Sequence, residues 1–335
     1  MKNLFCLGFL IFSYGLNAAP DESQAQAFDE YHSSIQKSWN ELEDQQTKAS
    51  EVYKSAVEKS WSDVALSSQK IYVDYFDDFK SRVKIDFDEG VVKVEVLDAL
   101  KRSKSSIEAL FIKGLERNRE LLDGQLSTDS AILKQIKSSI QDINGKTLTK
   151  YELGLKMVPE HVKIRAKKYL PSVIHWSSKN SIPPQLVLAV MWQESAFNPK
   201  ARSHIPAFGL MQIVPKYAGN EVKEYLGESD IVDGDFLYKA DNNIRYGTSY
   251  LKLLSQKYFS HILPFEKRAP FIIAGYNWGP SRLLKHLERG SIKVLSSSEI
   301  KQQIIAVAPA ETKGYLVKVL ENWKRIDSDK WLTNL

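Results

Sequence analysis

The stretch LVLAVMWQESAFNPKARS, from Leu186 to Ser203, decides how the C-terminal half of this chain is interpreted. It runs as an apolar helix into one acidic residue, Glu194, and no other Asp or Glu occurs between His161 and Asn220. Apolar residues on nearly all sides predict that the helix is buried. A carboxyl group held against apolar walls loses solvation, which raises its pKa and suits it to general-acid catalysis. The alternative is a glutamate that simply faces solvent at the end of its helix.

The composition is that of an ordinary globular protein, with 335 residues, 43% apolar and 26% charged. This length is enough for two domains, each with its own core. The net charge of +5 is unevenly distributed. Residues 1–160 carry 21 basic and 26 acidic side chains, whereas residues 161–335 carry 25 basic and 15 acidic ones. The basic C-terminal part suits an anionic polymer such as nucleic acid or cell-wall glycan, although solubility alone would also explain it.

The first 19 residues are typical of a secretory signal peptide, with Lys2, an apolar run from Leu4 to Phe12, and small residues at Ala18 and Ala19. The sequence therefore predicts export to the periplasm. The only cysteine, Cys6, follows Phe5 inside the apolar run, a context that argues against a lipid anchor. Without that residue, the mature chain would contain no disulfide and no cysteine ligand for zinc.

Residues 20–158 are predicted to form a small α+β domain. The stretch RVKIDFDEGVVKVEVL alternates apolar and charged residues on both sides of Glu89-Gly90, which indicates a β-hairpin. Helical spacing of apolar residues predicts one or two helices in 21–70, including Trp61 and Val64, and further helices at about 103–122 and 128–142. TLTKYELGLKMV then resembles a strand. The domain shows no catalytic constellation, so we expect a scaffold or positioning role, with possible cell-wall or divisome proteins as partners.

Residues 159–335 are predicted to be all-helical, because proline and glycine interrupt a series of helical patterns. The predicted helices are 160–179, 183–196, 215–226, 241–259, 268–275, 280–288 and 311–325.

Four motifs follow one another in this C-terminal part. They are ESAFNPKARS, GLMQI (Gly209–Ile213), AGYNWGPSRL (Ala274–Leu283) and AETKGYLVKV (Ala310–Val319). In this order and spacing they resemble the soluble lytic transglycosylases, lysozyme-like enzymes that cleave bacterial peptidoglycan. LKMVPEHVKIRAKKYLPSV, FLYKADNNIRYGTSYL and, nearer the N-terminus, YVDYFDDFKSRVKIDFDEGVVKVEVL are similar to the membrane-bound lytic murein transglycosylase C family. Gly275 and Trp278 depart from the usual pattern, which more often has alanine and a small residue there.

The resemblance implies a role for each matching residue. Glu194 would be the catalytic acid and base. The expected substrate-binding residues, which would contact the sugars or line the groove, are Ser203, Met211, Gln212, Tyr276, Asn277, Glu311 and Tyr315. For several of them a structural role is an open alternative: a helix cap for Ser203, a turn for Asn277, a first-turn carboxylate for Glu311.

The implied reaction is non-hydrolytic cleavage of the glycan strand, with 1,6-anhydro-N-acetylmuramic acid as product. A hydrolytic muramidase of the same fold and a non-enzymatic glycan-binding scaffold are the alternatives. Cleavage at chain ends and within strands are both compatible with the sequence, and the oligomeric state stays open. The six histidines lack metal-ligand spacing, so we expect no metal and no cofactor. No cluster of Lys and Arg alternates with aromatic residues, so nucleic acid is not an expected partner.

Overall fold

The computed structural model describes residues 41, 44–45, 47–126, 135–229, 231–287 and 296–332. The proposed signal peptide and Cys6 lie outside these residues. Up to Ser55 the described residues are helical, and everything below concerns the compact unit that runs from Ala56 onward. Among the described residues, no helix combines the length and the apolar character that crossing a membrane requires.

A five-stranded antiparallel sheet forms the N-terminal part of this unit, in the spatial order β1-β2-β3-β5-β4. Val83, Val94 and Leu153 lie opposite one another on β2, β3 and β5, and all three are fully buried. The strands are β1 (Ile71–Phe76), β2 (Ser81–Asp86), β3 (Val91–Asp98), β4 (Lys137–Ile143) and β5 (Lys146–Lys156). The alternation on both sides of Glu89-Gly90 thus correctly predicted the β2–β3 hairpin.

Helix α1 (Lys104–Arg117) packs on the buried face of the sheet. A methyl group on Gly114 would lie 2.9 Å from Cγ2 of Val83 and 3.1 Å from the ring of Phe76, so only glycine permits this close approach. A short helix, α2 (Arg119–Leu122), follows.

The C-terminal part is helical from His161 onward. Its helices are α3 (His161–Asn180), α4 (Pro184–Ser195), α5 (Asn220–Leu226), α6 (Gly234–Leu237), α7 (Ala240–Leu253), α8 (Phe265–Trp278), α9 (Pro280–His286), α10 (Ser297–Val307) and α11 (Ala310–Ser328). Two π-helical turns, Pro215–Gly219 and Leu254–Tyr258, lie next to α5 and α7. Helix α4 is central, since it packs against both α3 and α11. The fold is therefore α+β, as predicted, with a sheet-containing N-terminal part and a helical C-terminal part.

One predicted helix is wrong, and another ends earlier than predicted. Residues 137–143, assigned to a helix over 128–142, form the edge strand β4, and residues 127–134 lie outside the described part. The helix predicted within 21–70 is present over residues 47–58 but ends there, so Trp61 and Val64 belong to an irregular segment before β1. Trp61 is buried there because its ring lies under the guanidinium of Arg82, 3.9 Å from Cζ to the ring centroid. An apolar residue occurs at position 61 because it is buried by tertiary packing, not because it belongs to the buried face of a helix.

The sheet and the helices share one hydrophobic core, which extends from Val83 on β2 to Leu316 on α11. β5 ends at Lys156 and α3 begins at His161, on either side of the boundary that the sequence suggests at residue 158. A division into domains 20–158 and 159–335 therefore remains a proposal based on the sequence.

Candidate active site

Glu194 lies in the last turn of α4, a helix that begins at the consecutive prolines Pro183 and Pro184. The preceding residues from Leu186 to Met191 are all fully buried, so the helix carries the carboxyl group into the core. Ala196 then adopts a left-handed conformation (φ 47°) and ends the helix, with its N–H donating to the carbonyl of Trp192 at 2.9 Å. Glu194 itself is 9% exposed. The alternative of a solvent-facing glutamate is thus excluded.

Burial raises the pKa of Glu194 to about 7. The hydroxyl of Tyr315, which donates to Oε1 at 2.7 Å, and the positive charge of Lys70 both oppose this shift. The charge of Glu311 raises the pKa further. A carboxyl group with a pKa near 7 is substantially protonated at neutral pH and can both donate and accept a proton.

Two tyrosines are arranged around Glu194. Tyr315, on α11, is buried and bonds the carboxyl group directly. Tyr276, on α8, donates to the carbonyl of Met211 at 2.8 Å, and its ring lies 5.4 Å from that of Tyr250. Burial, followed by the charge of Glu194, raises the pKa of Tyr276 and that of Tyr315 well above the ordinary value. Both phenols therefore stay neutral and act as hydrogen-bond donors.

Replacing Tyr315 with phenylalanine should move the alkaline limb of the pH–activity profile to higher pH. As the expected general acid, Glu194 must be protonated to act, so wild-type kcat/KM should fall as the pH rises through about 7. The Tyr315 hydroxyl stabilises the carboxylate, so its removal raises the pKa of Glu194 further. The measurement is kcat/KM between pH 5 and 9. Tyr258→Phe, which removes a hydroxyl bonded to Glu221 instead, is the control. A limb that moves to lower pH would contradict this assignment.

The GLMQI loop is attached to the end of α4 and to α7. The Ser195 hydroxyl, next to Glu194 in the sequence, donates to the carbonyl of Leu210 at 2.8 Å. Asn243, fully buried on α7, donates to the carbonyls of Phe208 (2.8 Å) and Leu237 (2.9 Å) and accepts from the N–H of Met211 (2.7 Å). A methyl group on Gly209 (φ 72°) would collide with this asparagine side chain. The loop can therefore approach α7 only with glycine at this position.

Met211 and Gln212 occupy different environments within the loop. Met211 is fully buried against Gly247 of α7. Gln212 has a positive φ of 48° and is 7% exposed. Its Nε2 donates to the carbonyl of Gly209 at 3.0 Å, but its buried Oε1 has no hydrogen-bond partner within the described residues. A buried acceptor without a partner costs about 1–3 kcal/mol, which makes this oxygen a candidate for a hydrogen bond from outside the described residues.

The other predicted site residues are less closely connected to Glu194. Asn277 accepts a hydrogen bond of 2.7 Å from Thr312 and thereby links α8 to α11. Glu311 is exposed in the first turn of α11. The Ser203 hydroxyl donates to the carbonyl of Ile205 and accepts from the N–H of Ala207 at 3.2 Å, so it is engaged within its own loop. Contacts with a sugar remain predictions for all seven expected substrate-binding residues: Ser203, Met211, Gln212, Tyr276, Asn277, Glu311 and Tyr315.

Gly275 and Trp278, the two residues that depart from the family pattern, each pack against an aromatic or histidine ring. A methyl group on Gly275 would lie 3.0 Å from the ring of Phe259, which fills the space that an alanine side chain would need. Trp278 is half-buried, with its ring 5.1 Å from that of His286.

Sequence reasoning missed three residues that support the site. Lys70 and Asn243 are described above. The third, Arg165 of α3, is 3% exposed, and burial lowers the pKa of its guanidinium to about 10. It donates to the carbonyl of Ala196 (2.9 Å), the carbonyl of Phe87 (2.5 Å) and Oε1 of Gln125 (2.5 Å). No local sequence signal indicates these contacts, since the partners lie 31 to 78 residues away.

Within the described residues, no group of three or more His, Cys, Asp or Glu side chains is placed to hold a metal ion. The candidate site therefore consists of one protonatable carboxyl group, two neutral phenols and a loop with one free buried acceptor.

Comparisons with known proteins identify the family of this chain. The profile of the Transglycosylase SLT domain matches residues 171–293, and that of the N-terminal domain of membrane-bound lytic murein transglycosylase C matches residues 26–137. Membrane-bound lytic murein transglycosylase C of Haemophilus ducreyi is 31% identical over 294 residues, which cover 77% of this chain and 79% of that protein. The chain belongs to the lytic murein transglycosylase C family.

Other members of the lytic murein transglycosylase C family match similarly. The protein of Klebsiella pneumoniae subsp. pneumoniae is 29% identical over 294 residues, which cover 77% of this chain and 82% of that protein. Among solved structures, an inactive mutant of lytic transglycosylase Slt from Pseudomonas aeruginosa gives a TM-score of 0.41 at 25% identity and covers 48% of this chain and 24% of that one. The 70 kDa soluble lytic transglycosylase of Escherichia coli gives a TM-score of 0.40 at 28% identity, and the match covers 49% of this chain and 25% of that one. The match thus spans about a quarter of each of these two structures.

Proposed function

We propose that this chain is a lytic transglycosylase that cleaves the β-1,4 bond between N-acetylmuramic acid and N-acetylglucosamine without consuming water. The observation that best supports this proposal is the buried carboxyl group of Glu194, since every other Asp or Glu that the structure describes from residue 161 onward is exposed or half-buried. The acidic side chain whose charge acts on it, Glu311, is exposed. Hydrolytic glycosidases generally use two carboxyl groups on either side of the bond. One carboxyl group suffices only if the substrate supplies the nucleophile.

In the proposed reaction, protonated Glu194 donates its proton to the glycosidic oxygen as the bond from that oxygen to C1 of the muramyl residue breaks. The N-acetyl oxygen of the same sugar stabilises the positive charge that develops at C1. The ionised Glu194 then takes the proton from the C6 hydroxyl, whose oxygen attacks C1 and closes the 1,6-anhydro ring. Because the nucleophile belongs to the same sugar, a bimolecular step becomes unimolecular. The carboxyl group ends the cycle protonated.

The surrounding residues fit the two halves of this cycle. Tyr315 donates to the carboxylate that exists between the two proton transfers. Tyr276 and the GLMQI loop would form the wall against which the sugar lies, and Oε1 of Gln212 would accept a hydrogen bond from a hydroxyl or amide of the glycan. Such a bond would satisfy an acceptor that the protein leaves without a partner.

The product distinguishes the proposal from its alternatives. Digestion of purified peptidoglycan should release muropeptides that end in 1,6-anhydro-N-acetylmuramic acid and are lighter by one water than hydrolytic products. Mass spectrometry of the released fragments measures this directly. Mainly reducing-end muropeptides would establish a muramidase instead. Binding to peptidoglycan without release of soluble fragments would favour the glycan-binding scaffold.

We also propose that the protein acts in the periplasm after export by a signal peptide in residues 1–19. The basis is the apolar run from Leu4 to Phe12 followed by small residues, together with the location of the proposed substrate. N-terminal sequencing of the exported protein should give a start at or just after residue 19. Recovery of a lipid-labelled Cys6 would overturn this proposal.

A further inference from the structure

Arg165 of α3 is a buried cation that the proposed reaction does not use. Its side chain donates to the carbonyls of Ala196 (2.9 Å) and Phe87 (2.5 Å), to Oε1 of Gln125 (2.5 Å) and to Nδ1 of His161 (3.1 Å). An arginine can only donate, so His161 accepts as a neutral ring, and burial, followed by the charge of Arg165, lowers the pKa of that histidine. Within the described residues, no carboxylate forms an ion pair with this guanidinium. Burying an unpaired charge costs free energy, so ion pairing does not explain why a cation lies here.

The carbonyl of Ala196 belongs to a strained turn that ends α4. Ala196 and Phe197, both fully buried, have backbones in the left-handed region, with φ of 47° and 61°. This conformation is unfavourable for a residue that carries a Cβ atom. Two such residues in succession keep their shape only where the surrounding contacts compensate for the strain.

Two hydrogen bonds connect this turn to the sheet-containing part of the chain. Arg165 joins the carbonyl of Ala196 to that of Phe87, the residue that follows β2. Asn198 donates at 3.3 Å to the carbonyl of Gln69, which lies just before β1. The end of α4 is therefore fixed by α3 and the sheet as well as by its own helical hydrogen bonds.

The last turn of α4 carries two side chains that face other parts of the site. Glu194 accepts a hydrogen bond from Tyr315 of α11, and Ser195 donates to the carbonyl of Leu210 in the GLMQI loop. If the end of α4 unwound, both side chains would move away from these partners together. A displacement of about 1 Å at a reacting group can lower the rate by about 10²-fold.

We propose that Arg165 is a positioning residue for the reaction. Its hydrogen bond to the carbonyl of Ala196 holds the left-handed turn in place and thereby keeps the carboxyl group of Glu194 against Tyr315. The carbonyl of Phe87 contributes by orienting the same guanidinium from the sheet-containing part. This inference rests on the proposed function, because it concerns the placement of Glu194 during turnover.

Arg165→Met, which keeps the apolar part of the side chain and removes all its donors, tests the proposal. We expect kcat on soluble glycan strands to fall by about 10²-fold, whereas KM should change by less than about twofold. The alkaline limb of the pH–activity profile should also move to lower pH. A carboxyl group released from the core regains water, and burial is the largest of the effects that shift the pKa of Glu194. The kinetics are measured between pH 5 and 9 on protein whose folded fraction is known from urea unfolding.

Arg82→Met is the matched control, because the side chain of Arg82 is as buried as that of Arg165 and bonds to Glu95 and Asp63. Its neighbour in β2, Val83, faces the shared core, so Arg82 lies on the other face of the sheet. This variant should lose stability but keep the wild-type kcat and pH profile. Equal losses of kcat in the two variants would show a general effect of stability and overturn the positioning role.

Two further variants give the proposal an independent check. Arg165→Lys keeps a buried cation in case the methionine variant does not fold, but one ammonium group cannot replace the planar fork of donors, so kcat should still fall by about tenfold. Ala196→Gly, added to Arg165→Met, should raise kcat by about tenfold and return the alkaline limb toward its wild-type position, because glycine adopts the left-handed conformation without strain. Failure of this glycine to raise kcat would mean that Arg165 does not act through the turn.

The outcomes separate this inference from the proposed function. Wild-type kcat and an unchanged pH profile in Arg165→Met would overturn the positioning role, while the proposed function stands. Release of no anhydro product by the wild-type protein would refute the proposed function, and the positioning role would fall with it.

Discussion

Replacing Glu194 with glutamine should lower turnover by at least 10²–10⁴-fold, the usual contribution of a general acid or base, while binding of the glycan strand persists. Glutamine has nearly the same shape and can still accept the hydrogen bond that Tyr315 donates to Oε1. It cannot give up and recover a proton, and the proposed cycle needs both steps from the same group. Turnover of labelled peptidoglycan measures the first effect, and co-sedimentation with insoluble peptidoglycan measures the second.

Glu321→Gln is the matched control, because it removes a carboxyl group from an exposed position on α11, the helix that also carries Tyr315. This variant should retain wild-type turnover. A Glu194→Gln protein that keeps more than about a tenth of the activity would refute the assignment of Glu194 as the catalyst.

Asn243→Asp should lower the free energy of unfolding by about 3 kcal/mol or more at pH 7, since a buried acceptor would replace a donor that two carbonyls need. The side-chain amide of Asn243 donates to Phe208 and Leu237, and an ionised carboxylate would face both carbonyl oxygens without a proton. The GLMQI loop would lose its attachment to α7, so activity should fall as well. Urea unfolding and turnover of the same preparations measure the two effects.

The deficit in Asn243→Asp should shrink as the pH falls, because burial next to carbonyl oxygens raises the pKa of the new carboxyl group and protonation restores a donor. Asn242→Asp provides the control: this neighbour is half-buried and donates one hydrogen bond, to Phe236. Asn242→Asp should lower the free energy of unfolding much less than Asn243→Asp does, and this smaller loss should depend little on pH. Equal losses in the two variants would show that Asn243 does not hold the loop.

Periodicity predicted those parts of the fold in which one face of an element is buried. The β2–β3 hairpin and the buried helix α4 are examples, because alternation and all-round apolarity follow directly from burial. The prediction of a helix at the position of β4 was wrong for the opposite reason. It is an edge strand whose side chains are mostly exposed, with Ile140 77% exposed, so its pairing with β5 depends on backbone hydrogen bonds that leave no pattern of burial.

Helix α10 was missed, although a local signal was present. Ser296 and Glu299 form a capping box, in which each side chain accepts a hydrogen bond from the backbone of the other residue. The spacing of serine and glutamate was visible in the sequence. The predicted helices were bounded by proline and glycine, and those boundaries alone do not indicate α10.

For the candidate site, the sequence indicated the buried acid but not its electrostatic environment. The isolation of Glu194 from other acidic residues and its apolar helix correctly predicted burial and a raised pKa. The sequence did not predict that the charge of Lys70 lowers the pKa of Glu194. Lys70 lies 124 residues before Glu194, in a part of the chain that the sequence suggested to be a scaffold. Long-range contacts of this kind have no signature in a single sequence.

The guanidinium of Arg165 has a consequence for how this protein can be divided. Its donors are satisfied partly by Phe87 at the hairpin and partly by Ala196, two residues after Glu194, while Asn198 in the same segment donates to the carbonyl of Gln69 at 3.3 Å. A helical fragment that starts at residue 159 would keep every motif of the reaction. It would lose the Phe87 carbonyl and the Gln125 side chain that accept hydrogen bonds from Arg165, and water would have to replace them. The helical part therefore depends on the sheet for these contacts, and gene fusions that include the helical part should include the sheet as well.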